Sequence, residues 1–181
     1  LYALVSLLDD RHYRQMEDLW RELDVDCGLL GVSLTPLPHF TWNLAAEYDF
    51  KALEPRLTQL ATAQEPFTVR TNGLGFFTGP SPVIYLPLVK DAALARFHQR
   101  VWDLSADLAV GASPHYAPEA WVPHITVAYY DVEPAKLRCA VEKLAFRRYQ
   151  WEVEVNNLSL VFQLSGQVGR LQQKFEFGET L

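Results

Sequence analysis

Apolar residues recur along the chain in two rhythms: short continuous or alternating runs, and longer stretches that step by three and four. The first rhythm predicts strands and the second predicts helices. Residues 2–8 read as a buried strand ending at Asp9-Asp10, which can cap a helix. Tyr13, Met16, Leu19, Trp20 and Leu23 then share one helical face, and Gly28 supplies the stop. Residues 29–37 are apolar but broken by Gly31 and Pro36, and read as an approach to a strand over 39–45. A second helix covers roughly 50–63, with Leu53, Leu57, Leu60 and Ala61 facing inward. Pro55 belongs in a first turn, so this helix is expected to start later than Asp49 suggests.

Further on, a strand over 66–71 leads into Gly73-Leu74-Gly75-Phe76-Phe77, a turn over 78–82 and a returning strand over 83–89, together a β-hairpin. Asp91 caps the clearest helix, in which Leu94, Phe97, Val101, Leu104 and Leu108 step by 3, 4, 3 and 4. After Gly111 comes a polar loop over 112–121, then a strand over 123–130. Pro134 opens a last helix continued by Leu137, Val141 and Leu144. Residues 149–164 form one long strand or two, and 171–177 return after a turn at Gly166 and Gly169.

The order is β-α-β-α-β-β-α-β-α-β-β, and one short motif occurs twice within it. Pro38-His39-Phe40-Thr41-Trp42 returns as Pro123-His124-Ile125-Thr126-Val127, the two histidines lying 85 positions apart (124 minus 39). Each motif strand is followed by a helix and a hairpin, which predicts a single domain of duplicated halves, about 1–89 and 90–181, related by a pseudo-twofold axis. Alternate side chains on a strand point to one face. His and Thr therefore share a face in each copy, while Phe40 or Ile125 turns to the core. The axis would face two imidazoles and two hydroxyls across one groove. The expected class is α+β: two pseudo-symmetric lobes, each an antiparallel sheet with helices outside, around a central cleft carrying the motifs.

Composition narrows what this cleft can do. The chain has 181 residues, 49% apolar and 21% charged, as in a globular protein. It lacks a run of about 18 apolar residues, so no membrane helix is expected. Residues 2–8 lack the basic flank and cleavage site of a leader peptide, and a chain beginning at Leu1 is expected to be preceded by further residues. The net charge of −6 argues against a long nucleic-acid groove but leaves room for a pocket holding one RNA terminus. Cys27 and Cys139 have no zinc-ligand spacing and read as two lone packing thiols in a reducing cytoplasm. There is no Gly-x-Gly-x-x-Gly and no P-loop, so no cofactor is expected, and nothing demands more than a monomer.

The paired apolar-His-apolar-Thr-apolar motifs resemble those of the 2H (two-histidine) phosphoesterase superfamily, in particular its 2′-5′ RNA ligase-like (LigT-like) branch, and the element order agrees over nearly the whole chain. The resemblance implies a phosphodiesterase opening 2′,3′-cyclic phosphates to 2′-phosphates, with reversible 2′-5′ RNA ligase activity in some members. It implies His39 and His124 as the catalytic acid and base, Thr41 and Thr126 as the phosphate holders, and an RNA terminus or a small cyclic or 2′-5′ linked nucleotide as partner. Many members follow the second motif with Ala-Arg, where this chain has Ala128-Tyr129.

Stacking against a base would use aromatic side chains. Phe76 and its neighbour Phe77, Tyr85, His115, Tyr116, Trp121 and Tyr129 are the candidates. His12 and His98 read as surface or locally bonded groups. Two other classes compete with the enzyme. One is a catalytically idle nucleotide-binding protein, against which the intact His and Thr of both copies argue. The other is a metal hydrolase, which lacks a third ligand at suitable spacing beside His39 and His124.

Overall fold

The computed structural model describes residues 1–178, so positions 179–181 of the second predicted half lie outside it. Strands β1 (Tyr2–Leu7) and β2 (His39–Ala45) flank helix α1 (Asp10–Cys27) in sequence. Asp9 caps α1 by accepting from the His12 N–H, and Gly28 closes it at φ +68°. A short strand β3 (Glu47–Tyr48) precedes α2 (Phe50–Thr62), followed by β4 (Phe67–Arg70), β5 (Gly75–Phe77) and β6 (Val83–Pro87). Next come α3 (Ala92–Ser105), β7 (Ala109–Val110), β8 (His124–Ala128) and α4 (Pro134–Leu144). The chain ends with β9 (Glu152–Val155), β10 (Asn157–Phe162) and β11 (Arg170–Glu176).

Seven strands form one antiparallel sheet in the order β11-β10-β1-β2-β8-β6-β5. Each flank draws strands from both predicted halves, β10 and β11 joining β1 and β2 on one side and β5 and β6 joining β8 on the other, and the flanks meet at a single residue pair, Phe40 with Ile125. Helices α2 and α3 pack on β2, β10 and β11, while α1 packs on β8 and α4 on α1. The core runs through the buried side chains of Phe40, Trp42, Ile125, Val127, Ile84 and Leu86. The buried residues of β2 and β8 alternate with half-buried ones, as the motif pattern requires.

Three details depart from the expectations. Helix α2 starts at Phe50 after all, because the Asp49 carboxylate caps it through the Ala52 N–H at 3.2 Å, so Pro55 sits inside the helix. The bond Pro55 cannot make would reach the carbonyl of Lys51, an exposed residue, where water can replace it. Secondly, 66–71 meets the returning strand only at its end, where Thr71 bridges Leu88: β4 pairs with β9, and the hairpin ladder itself is β5 with β6. The Thr71 hydroxyl fixes this crossing by donating to the Tyr149 carbonyl (2.7 Å) and accepting from the Trp151 N–H (2.9 Å). Thirdly, Cys27 and Cys139 are not lone thiols. They form a disulfide between α1 and α4 with Cα atoms 5.7 Å apart. The bond removes the ground for expecting a reducing compartment, where disulfides are rare. No helix among the described residues is long and apolar enough to cross a membrane.

Candidate active site

The pairing of Phe40 with Ile125 places the motif side chains. One antiparallel step to either side sets His39 across from Thr126 and Thr41 across from His124. All four line one cleft of about 210 Å³. The prolines repeat the symmetry: the Pro38 carbonyl accepts from the Leu8 N–H (3.0 Å) and the Pro123 carbonyl from the Leu88 N–H (2.9 Å). A residue before proline is held extended. In both copies the carbonyl of that residue meets the ring that follows: His39 Nδ1–H donates to Leu37, and His124 Nδ1–H donates to Val122 at 2.8 Å. A carbonyl only accepts, so each neutral ring carries its proton on Nδ1 and keeps Nε2 free for chemistry. Burial lowers the pKa of both imidazoles against these carbonyl bonds, and the charge of His124 lowers that of His39 further.

A second hollow of about 550 Å³ adjoins the first and shares Leu44, Tyr116, His124, Thr126 and Tyr129 with it. Burial raises the pKa of Tyr116 against a hydrogen bond with the Thr41 hydroxyl, and that of Tyr129 against one with Thr35. Both phenols therefore stay protonated. His115 and Phe77 line the second hollow alone. Phe77 stands edge-on to His124 at 4.9 Å and Tyr85 lies 5.1 Å from it, so Tyr85 supports that ring and lines neither hollow.

Two expected pocket residues lie elsewhere. Phe76 is 40% exposed and lines neither hollow, because the alternation of β5 gives that side to Phe77. Trp121 is 2% exposed, and its indole N–H donates to the Thr41 carbonyl at 2.9 Å. Trp20 does the same for the Thr126 carbonyl at 3.2 Å while lining the first cleft. The two motif strands share only one residue pair, and an indole from elsewhere in the chain serves each motif threonine. Sequence periodicity placed Trp20 on an apolar face and gave no sign of this bond.

Behind Trp121 stands His98, 1% exposed, with its ring stacked on the indole at 3.8 Å. It is neither at the surface nor bonded locally. Opposite Leu4 and Val5 the β2 register skips Trp42, and such a bulge frees backbone groups. His98 Nε2–H donates to the Trp42 carbonyl at 3.0 Å. The same bulge brings Leu44 onto the face of Thr41. Burial lowers the His98 pKa to about 4, helped by the Lys90 charge and opposed by bonds with the backbone of Trp42 and Tyr116.

The unfolded chain, with histidine near ~6.5, therefore binds more protons than the folded one between these values. Stability is complete above that window and falls as pH drops through it, by up to ~1.4 kcal/mol per pH unit for this group. Urea unfolding from neutral pH down to about 4 should show a shallower decline in His98→Gln, which keeps a donor without titrating. Equal declines would assign the effect to other groups, His39 and His124 among them.

Among the described residues no group of three or more His, Cys, Asp or Glu is placed to hold a metal ion. Several solved structures share this architecture. The protein TT0787 of Thermus thermophilus is 19% identical with a TM-score of 0.66, over 98% of this chain and 97% of its own. LigT of E. coli is 17% identical in its complexes with 3′-AMP (TM-score 0.57) and ATP (0.54), each over 99% of this chain and all of LigT. No curated protein matches the chain in sequence. The model of the 2′-5′ RNA ligase superfamily matches residues 9–167. With that match and with the LigT-like fold, the chain belongs to the 2′-5′ RNA ligase superfamily, among the 2H phosphoesterases.

Proposed function

We propose that the protein opens 2′,3′-cyclic phosphates, at RNA ends or on small nucleotides, to 2′-phosphates. The observation that carries this reading is the convergence of two Nε2 atoms and two threonine hydroxyls on one cleft about a single strand pair. One neutral imidazole takes a proton from water as the water oxygen bonds to phosphorus. The other, protonated, gives its proton to the ribose 3′ oxygen as the bond from phosphorus to that oxygen breaks. Thr41 and Thr126 donate to the non-bridging oxygens as charge builds there. A 5′ hydroxyl attacking in place of water would join a 2′-5′ linkage by the same step, and in the reverse cleavage, where the 3′ hydroxyl attacks and the 5′ oxygen leaves, the two histidines would exchange roles. A nucleotide as ligand, whatever its phosphate charge, agrees with the complexes of E. coli LigT with 3′-AMP and ATP.

None of these steps uses a metal. The test is incubation with an RNA ending in a 2′,3′-cyclic phosphate in the presence of EDTA, with the 2′- and 3′-phosphate products separated. A single 2′-phosphate product is expected. A mixture of products, or turnover that stops in EDTA, would refute the mechanism. No turnover of this RNA or of a 2′-5′ linked oligonucleotide would leave a binding protein of the same fold.

A further inference from the structure

The side chains described around the two hollows carry no permanent charge. Among the described residues that line them, no side chain is lysine, arginine, aspartate or glutamate. Cations near the walls are already engaged: Lys90 donates to the carbonyls of Pro118 and Trp121, both at 3.0 Å, and Lys136 pairs with Asp131 at 3.1 Å. Leu1 lines the rim of the first hollow with its amino group donating to the Gln163 carbonyl at 3.1 Å, so among the lining side chains positive charge can come only from the imidazoles. These lie close enough for one to depress the other, and burial disfavours charging either. The site can thus hold one proton's worth of charge far more readily than two.

The wall at Tyr129 is built rather than incidental. The Asp131 carboxylate accepts from the N–H groups of Leu30 (2.9 Å) and Gly31 (3.1 Å), pinning residues 30–35 against the end of β8. A Cβ on Gly31 would lie 1.8 Å from the Tyr129 carbonyl, so only glycine admits this approach. Tyr130 takes φ +73° to turn the chain out of the site, while Tyr129 remains in both hollows with Thr35 as its partner. A phenol gives one hydrogen bond and cannot neutralise a phosphate.

We propose that the site selects its ligand by charge, accepting a singly charged phosphodiester and rejecting doubly charged phosphomonoesters and polyphosphates, with the uncharged Tyr129 wall setting the limit. This rests on the functional reading above, and it names the substrate class. A phosphodiester carries one negative charge and is matched by one imidazolium, whose proton is taken up with the ligand where the pH lies above the lowered imidazole values. A monoester approaches two at neutral pH, its second pKa being about 6. The additional charge would enter a half-buried site without a partner, which is costly. The dianionic product of ring opening therefore leaves readily, and product inhibition is weak.

The test is calorimetry at about pH 7.5, above that second pKa, with three adenosine ligands differing in phosphate charge: 3′,5′-cyclic AMP as an inert diester, 2′-AMP and ATP. For the wild type the diester should bind at least about tenfold more tightly than either other ligand. Tyr129→Arg should narrow that ratio about tenfold, the size of one charge-assisted hydrogen bond, while Tyr129→Phe should keep it within about threefold. Equal or tighter binding of 2′-AMP or ATP by the wild type would overturn the proposal, even where the arginine variant fails to fold. An unchanged ratio in a folded Tyr129→Arg would overturn the part given to Tyr129. Turnover of cyclic ends without the preference would sink this inference alone, and the preference without turnover would sink the proposed activity alone. No binding of any ligand would sink both.

Discussion

Replacing either His39 or His124 by alanine should lower kcat by ~10²–10⁴-fold, with the folded state retained. Each ring is half-buried and anchored by one bond to a carbonyl two residues back, so its loss removes proton transfer without opening the core. The double variant should be little worse than either single one, because acid and base act as a unit and effects of that kind do not add. The pH profile provides a second check. Turnover needs one imidazole neutral and the other protonated. Burial lowers both values, and His124 lowers His39 further. The productive form should therefore be most populated on the acid side of the ordinary histidine value near ~6.5. Activity should decline at higher pH as the acid loses its proton, and decline at lower pH as the base gains one. The measurement is kcat against pH for a cyclic-phosphate substrate. A flat profile through neutral and alkaline pH, or a single alanine variant with near wild-type kcat, would remove the two-histidine scheme.

How far the sequence could be read depended on whether a feature was local. The alternation around Phe40 and Ile125 needs only neighbouring residues, and it correctly placed His and Thr on one face of each motif strand. The capping of α1 by Asp9, its stop at Gly28 and the Pro134 start of α4 were local in the same way. Partner choice was not. The period of residues 66–71 says strand, but only the folded chain shows that β4 pairs with β9, with Thr71 bonded to the backbone of Tyr149 and Trp151 while it also bridges Leu88 of the returning strand. Trp121 illustrates the same limit in the site. Its place in a polar loop suggested a stacking platform, yet its N–H belongs to a carbonyl 80 residues earlier. His98 could not be placed because its partner exists only where the bulge at Trp42 frees a carbonyl. Tyr129 was legible as a departure from the family pattern, but its bond with Thr35 was not, since that depends on Gly31 lying against the Tyr129 backbone.

Cleaving the disulfide should cost the protein about 2–5 kcal/mol of stability, the usual range for a native bridge. The two cysteines are 112 positions apart, so the bond closes a long loop and restricts the unfolded chain strongly. In the folded state it ties the end of α1 to the middle of α4. Helix α1 carries Trp20, whose N–H holds the Thr126 carbonyl. Loosening α1 should therefore act on the site as well as on the global midpoint, lowering kcat before the protein unfolds. Spacing along the sequence could not reveal this pairing: neither cysteine has a local partner, and only the packing of α1 on α4 brings their Cα atoms to 5.7 Å. The measurement is denaturant unfolding of the wild type with and without a thiol reductant, beside a Cys27→Ser, Cys139→Ser double variant. The reduced wild type should match the double variant, and both should unfold at lower denaturant than the oxidised protein. Two titratable thiols in the unreduced, denatured wild type, with a midpoint indifferent to reductant, would show that the bond does not form. The expectation of packing thiols in a reducing compartment would then stand again.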